Sequence, residues 1–376
     1  MDKPQTVEKW ALRHLPYAVN MSRFLSKSCR CLLLLSLTLV LAQAPAQARP
    51  QKKPVAQPTM LQNPEVIEFI QQMSTKHGFD QSALSASFEN QRPDNRIIRI
   101  MAPAPTQLTP NWIAYRERFV NSRRISRGVQ FWDAYTDTLE RASREYGVPQ
   151  EIIVAIIGVE TEYGRNMGSF NVLNALASIG FYGERRREFF QSELEQYLLL
   201  ARDNAMDLSS TRGSFAGALG IPQFMPSSQR RWGVDFDGNS KVDLIHSPID
   251  AIGSVANFLK SHGWQKDEVA VIPVTAPQTL PSAFEKVDVK PGIPLAQYRD
   301  AGFVFASPLR DGTQATLVTL TSPHAATQYW LGLNNYYVIT RYNRSAAYAM
   351  SVIELGEAVR QARTAALAAA ESAALQ

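Results

Sequence analysis

Cysteine is almost absent from this 376-residue chain, and its two examples, Cys29 and Cys31, lie close to the start. Beyond residue 31 no thiol is available, which excludes a disulfide framework and a cysteine nucleophile. The five histidines are scattered without a paired metal-ligand spacing, and neither a P-loop nor a dinucleotide fingerprint occurs. The chain therefore carries no sequence signal for thiol, zinc or nucleotide chemistry.

Long hydrophobic runs are also missing. The apolar run over 32–42 is too short to span a bilayer; it follows a basic segment and precedes small residues that end at Ala48. This order predicts a secretory signal peptide over 1–48, of which 1–20 is an extension if translation begins at Met21. Both cysteines precede the apolar run, so the lipid-attachment cysteine expected after it is absent. We expect a periplasmic protein that is at most peripheral to the outer membrane; an uncleaved membrane anchor is the alternative.

Excess positive charge is confined to this leader. Residues 1–48 hold six Lys/Arg and two Asp/Glu, which accounts for +4 of the formal +5. The remainder is nearly neutral, so its charge gives no reason to expect a nucleic-acid partner. With 45% hydrophobic and 19% charged residues, the chain has the composition of a globular protein.

Helical periodicity follows the leader. Residues 49–60 form a Pro-rich basic spacer that we expect to be disordered. Apolar spacing then predicts a helical N-terminal domain over 61–145, with a long helix at 129–146. A second helical domain is predicted over 146–263, and it resumes over 326–362.

The residue pattern changes within that second domain. β-Branched runs at 269–274 and 315–320, separated by Pro and Gly, predict a small inserted β domain over 264–325. Helix is predicted again over 327–361, followed by an Ala-rich tail over 363–376. The predicted fold class is therefore mainly α (α+β).

The stretch 151–165, EIIVAIIGVETEYGR, places two carboxylates near the end of a helix that is apolar on nearly every side. Glu160 lies four residues after Ile156, on a stripe that packing should bury, whereas Glu162 points to nearly the opposite side. A desolvated carboxyl has a raised pKa and holds a proton near neutral pH, as a general acid must. Gly164 is the predicted helix stop. The alternative is that both carboxylates are solvated charges at a helix end.

The stretch 213–228, GSFAGALGIPQFMPSS, combines small residues with hydrogen-bonding and apolar side chains. Its glycines and alanines let backbone or ligand approach closely. Ser214 and Gln223 offer hydrogen bonds, and Phe215 and Met225 offer apolar faces, a combination that suits a sugar. The alternative is a tight structural loop whose glycines only serve turns.

Over roughly residues 60–360 the chain resembles the lytic murein transglycosylase B family. The resemblance is carried by four motifs in order: GVETEYGRNMG, GSFAGALGIPQFMPS, DFDGNSKVDL…SPIDAIGSVANFLKSHGW and NNYYVITRYNRSAAYAM. The resemblance implies a lysozyme-like catalytic domain that cleaves the β-1,4 bond between N-acetylmuramic acid and N-acetylglucosamine in peptidoglycan. The product would carry a 1,6-anhydro ring. The catalytic glutamate of the family corresponds to Glu160, which would serve as general acid and then as general base, without a catalytic cofactor.

The resemblance also implies a saccharide groove. Ser214 and Asn343 would hydrogen-bond near the cleavage site, and Gln223 would orient Glu160 or the sugar. The remaining groove residues are aromatic or cationic and comprise Tyr115, Tyr342, Tyr348, Arg185 and Arg186. The tyrosines would supply polar walls, and the guanidinium groups would meet carboxylates of the peptide stem or the lactyl group. The alternatives are that the tyrosines are core residues and the arginines a solvated helix face.

A third pattern has the oxygen-donor spacing of a calcium loop, with candidate ligands Asp235, Asp237, Asn239 and the backbone carbonyl of Lys241. Ser240 replaces the usual glycine, and His246 stands where the closing carboxylate is expected. The resemblance implies that Asp250 closes the site instead. We expect a structural Ca²⁺ site of modest affinity; a metal-free turn rich in Asp and Asn is the alternative.

The sequence thus predicts a monomeric enzyme whose partner is the peptidoglycan glycan strand, with other cell-wall enzymes as further partners. Two alternatives remain open. One is a hydrolytic muramidase that uses the same acid, and the other is a non-catalytic peptidoglycan-binding or scaffold protein.

Overall fold

The structure, a computed structural model, describes residues 58–103 and 109–375. The predicted signal peptide and most of the predicted spacer therefore lie outside the described residues. Within those ranges no helix combines the length and the apolar character needed to cross a bilayer.

Helices make up most of the described chain. In chain order they are α1 (Pro64–His77), α2 (Gln81–Phe88), α3 (Asn95–Met101), α4 (Trp112–Phe119), α5 (Ser122–Ala134), α6 (Thr136–Tyr146), α7 (Gln150–Thr161), α8 (Val172–Tyr182), α9 (Arg187–Asp203), α10 (Pro226–Trp232), α11 (Pro248–Ser261), α12 (Leu295–Asp300), α13 (Asn334–Tyr342) and α14 (Ala346–Ala374). Side-chain caps mark several starts: Asn111 accepts a hydrogen bond from the amide of Ala114, and Ser345 from that of Tyr348. The prediction of a mainly helical fold is confirmed.

The strands form two small antiparallel sheets. A two-residue strand β1 (Phe170–Asn171) pairs with β2 (Arg212–Gly213). The larger sheet has the order β3-β6-β5-β4 and comprises β3 (Val271–Val274), β4 (Ile293–Pro294), β5 (Gln314–Leu320) and β6 (Gln328–Gly332). Its strands β3 and β5 coincide with the predicted β-branched runs.

Helix α7 lies inside a large hydrophobic core. Its side chains from Ile152 to Val159 are buried on every side because α5, α6, α11 and α14 all pack against it. The contact with α14 is close because Gly356 has no side chain: a Cβ atom there would lie 2.9 Å from the carbonyl oxygen of Glu151. The predicted all-round burial is observed, and it fixes the end of the helix that carries Glu160.

The helices of residues 61–145 pack into two different cores. Helices α1–α3 join α8 and α9, and Phe69 on α1 meets Phe181 edge-on with 5.6 Å between ring centroids. Helices α4–α6 pack instead around α7 and α14. Residues 61–145 therefore have no separate hydrophobic core among the described residues, but contribute to two cores that also contain later helices.

The single helix predicted over 129–146 is wrong. The chain forms two helices there, because Tyr135 leaves the helical backbone with φ −126° and ψ 28°. Its ring turns back onto Phe131 on α5, with 4.9 Å between centroids. This packing outweighs a helical periodicity that runs unbroken through the sequence.

The larger sheet has a core of its own, which includes Ile272, Leu317 and Leu331 together with Tyr298 on α12. The helix predicted over 327–361 is wrong at its start, since β6 forms there and pairs with both β3 and β5. The sheet therefore extends beyond the predicted boundary at residue 325. The aromatic and leucine residues of β6 are compatible with either a helix or a strand. The segment forms a strand because β3 and β5 lie beside it and pair with it.

Candidate active site

Glu160 occupies the last turn of α7. Its side chain is only partly exposed to solvent, and burial raises its pKa from the ordinary 4.5 to about 7. The carbonyl dipoles at the C-terminal end of a helix also disfavour a negative charge. Glu160 therefore retains its proton up to near-neutral pH, which is the property expected of a general acid.

Tyr348, in the first turn of α14, is the hydrogen-bonding partner of Glu160. Its hydroxyl donates to Oε1 of Glu160 at 2.6 Å, and its ring is buried. Tyr342 lies parallel to Tyr348 with 6.4 Å between ring centroids, and its own hydroxyl donates to the carbonyl oxygen of Pro222 at 2.7 Å. Burial raises the pKa of both tyrosines well above 10, so both remain hydroxyl donors.

The chain turns sharply after the catalytic candidate. Three consecutive residues, Glu162, Tyr163 and Gly164, have left-handed φ values of 51°, 63° and 79°. The helix therefore ends at Thr161, three residues before the predicted stop. For residues other than glycine this backbone is unfavourable by about 1–2 kcal/mol each, so other contacts must hold it.

Thr161 provides one of those contacts and was missed in the sequence. Its hydroxyl donates to the carbonyl oxygen of Ile221 at 2.7 Å and accepts from the amide of Gly164 at 2.9 Å. The end of α7 is thus joined to the glycine-rich loop, which brings Glu160 and that loop together. Nothing in the residue type signals this role, because threonine is common at helix ends.

Glu162 provides the second contact. Its carboxylate pairs with Arg127, lies 2.9 Å from Nε of Arg123 and 4.0 Å from Nη2 of Arg124, all on α5. Arg124 also donates to the carbonyl oxygen of Gly158 on α7 at 2.8 Å. This cluster holds the turn and directs Glu162 toward α5, whereas Glu160 contacts Tyr348. The two side chains therefore point in different directions, in agreement with the prediction.

The glycine-rich loop carries Ser214 and Gln223. The Ser214 hydroxyl accepts from the amide of Ala218 at 2.9 Å. Gln223 has a left-handed φ of 53°, and its side-chain nitrogen donates to the carbonyl oxygens of Met167 at 3.1 Å and Gly220 at 2.9 Å. In this structure the Gln223 side-chain nitrogen therefore stabilises the loop, and its oxygen makes no hydrogen bond to any residue that the structure describes.

The other groove candidates differ in how far they are buried. Tyr115 is half-buried, and its pKa is raised mainly by burial and further by the nearby charge of Glu160. The remaining candidates differ in exposure, from the partly buried Met225 to the exposed Phe215, Asn343, Arg185 and Arg186. The structure thus groups Tyr115, Tyr342 and Tyr348 around Glu160. The two arginines lie just before α9, where Arg186 stacks over Phe189 at 4.1 Å.

Three carboxylates meet in the predicted calcium loop. Ligand oxygens of Asp235, Asp237 and Asp250 all lie within 4.8 Å of one another. Asp250 is fully buried; desolvation raises its pKa, whereas hydrogen bonds from the amides of Asp243, Phe236 and Asp237 lower it. Converging oxygens of this kind fit a hard cation.

The same loop is also braced internally. Asp235 accepts from the amides of Gly238 and Ser240 at 2.8 and 2.6 Å, and Asn239 accepts from the amide of Lys241 at 2.9 Å. These are the bonds of Asp and Asn turns, so the loop conformation does not depend on an ion alone.

The fold and the site belong to a known class of enzyme: a profile of the Transglycosylase SLT domain family matches residues 62–357. The membrane-bound lytic murein transglycosylase B of Escherichia coli (strain K12) is 44% identical over 310 residues, which cover 80% of this chain and 84% of that protein. The chain belongs to the lytic murein transglycosylase B family.

Solved structures agree in fold. The Escherichia coli lytic transglycosylase Slt35 in complex with calcium has a TM-score of 0.73 at 43% identity, covering 80% of this chain and 94% of that one. SltB3 from Pseudomonas aeruginosa, in complex with NAG-anhNAM-pentapeptide, has a TM-score of 0.69 at 29% identity, covering 79% of each chain. The predicted lysozyme-like fold is confirmed.

Proposed function

We propose that this protein is a peptidoglycan lytic transglycosylase that cleaves the β-1,4 bond after N-acetylmuramic acid and leaves a 1,6-anhydro ring. One observation carries the proposal. Glu160 ends a buried helix with a pKa near 7 and accepts a hydrogen bond from Tyr348, and no cation pairs with it within 58–103 and 109–375. Such a carboxyl is suited both to give and to take a proton.

The reaction needs two proton transfers. Glu160 would first donate its proton to the glycosidic oxygen as the bond from that oxygen to the anomeric carbon breaks. The carboxylate would then take the proton of the C6 hydroxyl, whose oxygen forms the new bond to the same carbon. Glu160 ends protonated, as it began, and no water is consumed. The Tyr348 hydroxyl stabilises the carboxylate between the two steps.

A second carboxylate is not required by this scheme. In most glycosidases it acts as nucleophile or activates water. Here the N-acetyl group of the substrate would stabilise the positive anomeric carbon, a form of substrate assistance known in other families. The glycine-rich loop over 213–228 contains no acidic residue, which agrees with that role.

The roles of the groove residues follow from the family resemblance. Ser214 and Asn343 would hydrogen-bond the sugars, and the free side-chain oxygen of Gln223 would accept from a sugar hydroxyl. The walls would be formed by Tyr115, Tyr342, Tyr348, Phe215 and Met225, and Arg185 and Arg186 would meet anionic groups of the substrate. The 38% exposure of Phe215 supports an apolar face for a sugar ring.

The reaction as derived needs no cofactor, and we assign calcium a structural role. Asp235, Asp237, Asn239, Asp250 and the carbonyl of Lys241 would hold the ion, which would reduce the repulsion among three converging carboxylates. Addition of Ca²⁺ should therefore raise the melting temperature of the wild type. Asp237→Asn should reduce that increase, and an equal increase in both proteins would contradict the assignment.

Mass spectrometry of digested sacculi tests the activity. The expected products end in anhydromuramic acid, because the C6 hydroxyl replaces water. Reducing ends would instead indicate a hydrolytic muramidase. Intact sacculi would indicate a peptidoglycan-binding or scaffold protein.

We also propose a cell-envelope location, specifically the periplasm. The relative in Escherichia coli is membrane-bound by name, whereas the leader of this chain predicts export without a lipid. Glycan strands would be its principal partner, with other cell-wall enzymes as further partners of a monomer. Sequencing the N-terminus of the mature protein checks cleavage near residue 48.

A further inference from the structure

A cavity of about 620 Å³ lies outside the residues assigned above, between the turn before α3 and the β1–β2 pair. Its lining is polar and contains Arg92, Arg96 and Arg212 against a single acid, Asp94. Phe170 contributes an aromatic face. A concave surface with an excess of guanidinium groups favours an anionic ligand.

Arg96 and Arg212 are held in place by local contacts. Arg96 lies 2.6 Å from Oδ2 of Asp94, and its guanidinium lies 5.5 Å from the ring centroid of Phe170. Arg212 donates through Nη1 to the carbonyl oxygen of Ser209 at 3.0 Å. Its Nη2 makes no hydrogen bond to a residue in the described ranges, so that donor is available to a ligand.

The cavity adjoins the loop that carries the groove candidates. Phe170 pairs with Gly213, which directly precedes Ser214. The backbones touch at Gly168, where a Cβ atom would lie 2.1 Å from the carbonyl oxygen of Gly213. Met167, one residue earlier, accepts the hydrogen bond from Gln223. The segment 167–171 thus leads from the glycine-rich loop into the cavity.

We propose that this cavity binds a carboxylate of the peptide attached to the glycan strand; the inference rests on the proposed function. In that substrate the peptide carries free carboxylates, and the guanidinium fork matches their geometry. An extended peptide of five residues spans about 17 Å. A peptide leaving a sugar beside Ser214 therefore reaches the neighbouring cavity.

Direct binding gives the first test. Full-length protein carrying Glu160→Gln, which we expect to be inactive, is titrated calorimetrically with a tetrapeptide bearing free carboxylates and with the same peptide amidated. We expect only the carboxylate form to bind, and Arg212→Ala to weaken it roughly tenfold, since a hydrogen bond to a charged group is lost. Equal binding of the two peptides, or none, would overturn the proposal.

Matched variants separate a lost contact from a lost fold. Arg99→Ala removes an exposed arginine from the same helix as Arg96 but outside the lining, and it should leave peptide binding unchanged. Arg96→Ala should weaken binding as Arg212→Ala does, with melting temperatures compared for all variants. Equal loss in Arg99→Ala would show that general surface charge, not the cavity, attracts the peptide.

Kinetics distinguish this inference from the proposed function. On peptide-bearing strands Arg212→Ala should raise KM roughly tenfold with kcat unchanged, whereas strands stripped of peptide should show no difference between variant and wild type. An equal change on both substrates would contradict the cavity assignment. Release of anhydro ends from stripped strands by the wild type tests the activity separately. If the wild type releases no anhydro ends but tetrapeptide binding still depends on Arg212, the cavity assignment is correct and the proposed activity is wrong.

Discussion

Glu160 and Glu162 are separated by one residue, yet the protein surrounds them differently. Glu160 faces tyrosines and accepts a hydrogen bond from Tyr348, and its pKa is raised to about 7. Glu162 faces α5, where it pairs with Arg123 and Arg127. The change from helix to left-handed backbone between them turns the two side chains apart.

One helix end thus holds two carboxyl groups in different surroundings: Glu160 retains its proton up to near-neutral pH, and Glu162 is ion-paired with α5. A carboxylate without a cation is destabilised by burial, and that destabilisation keeps a proton available. A carboxylate with several cations is a strong anchor but a poor proton donor. The predictions below test this division, beginning with the largest expected effect.

Glu160→Gln should abolish the activity. A positioned proton donor is worth roughly 10²–10⁴-fold in rate, and one residue serves both transfers here, so we expect a loss of about 10⁴-fold or more. Turnover of purified glycan strands is the measurement, with circular dichroism to confirm the fold. Retained activity would place the catalytic acid elsewhere.

Glu160→Gln should also make the protein more stable at alkaline pH. The wild-type pKa is raised from 4.5 to about 7, so the folded state binds more protons than the unfolded state between those values. The stability linked to this group is fully present below pH 4.5 and is lost as the pH rises through 7. Glutamine does not titrate, so the unfolding free energy of the variant should exceed that of the wild type by about 3 kcal/mol at pH 8.

Urea unfolding at pH 4 and pH 8 measures this difference. The two proteins should be nearly equal at pH 4, where Glu160 is protonated. A difference that does not change with pH would mean that Glu160 is not desolvated in the folded protein.

Tyr348→Phe should move the alkaline limit of activity to higher pH. The Tyr348 hydroxyl stabilises the carboxylate and so lowers the Glu160 pKa. Its removal should raise that pKa by about one unit, so Glu160 should remain protonated up to a correspondingly higher pH. The pH profile of kcat/KM is the measurement. Tyr337→Phe, at a partly exposed tyrosine on α13, is the control. A shift to lower pH would contradict the assigned direction of the hydrogen bond.

Glu162→Gln should have the smallest effect on chemistry. The arginines of α5 lose their partner at a site where the Glu162 side chain is 12% exposed, so we expect a loss of about 1 kcal/mol in unfolding free energy. The alkaline limit of the pH profile should not move. Glu117→Gln, an exposed residue on α4, is the matched control. A moved pH limit would show that Glu162 acts on the proton of Glu160.

Much of the site was accessible from the sequence because its signals are local. The apolar residues around α7 predicted its burial, which the structure shows, and the ordered motifs predicted Glu160, Ser214 and Gln223 as site residues. The spacing from Asp235 predicted converging oxygens, which the structure groups with Asp250. In each case the information lies within a short segment whose backbone geometry is known in advance.

The arrangement around these segments was decided by the tertiary structure. The sequence did not predict that β6 forms at residues Gln328–Gly332, because the strand exists only through its neighbours. It did not predict the anchoring of Glu162 by α5 or of Thr161 by Ile221 either, since these depend on how distant segments pack.

By itself, then, the sequence determined a buried helix that ends in a glutamate, a small-residue loop and an oxygen-rich turn. Only the folded chain decided that Tyr348, 188 residues away, donates to that glutamate, and that the turn before α3 meets β1 and β2 to enclose a cationic cavity. The physical reason is that hydrophobic periodicity is a property of residues close together in the sequence, so it can be read locally. The affinity of a carboxyl group for a proton, in contrast, is set by every group that packing brings within a few ångströms of it.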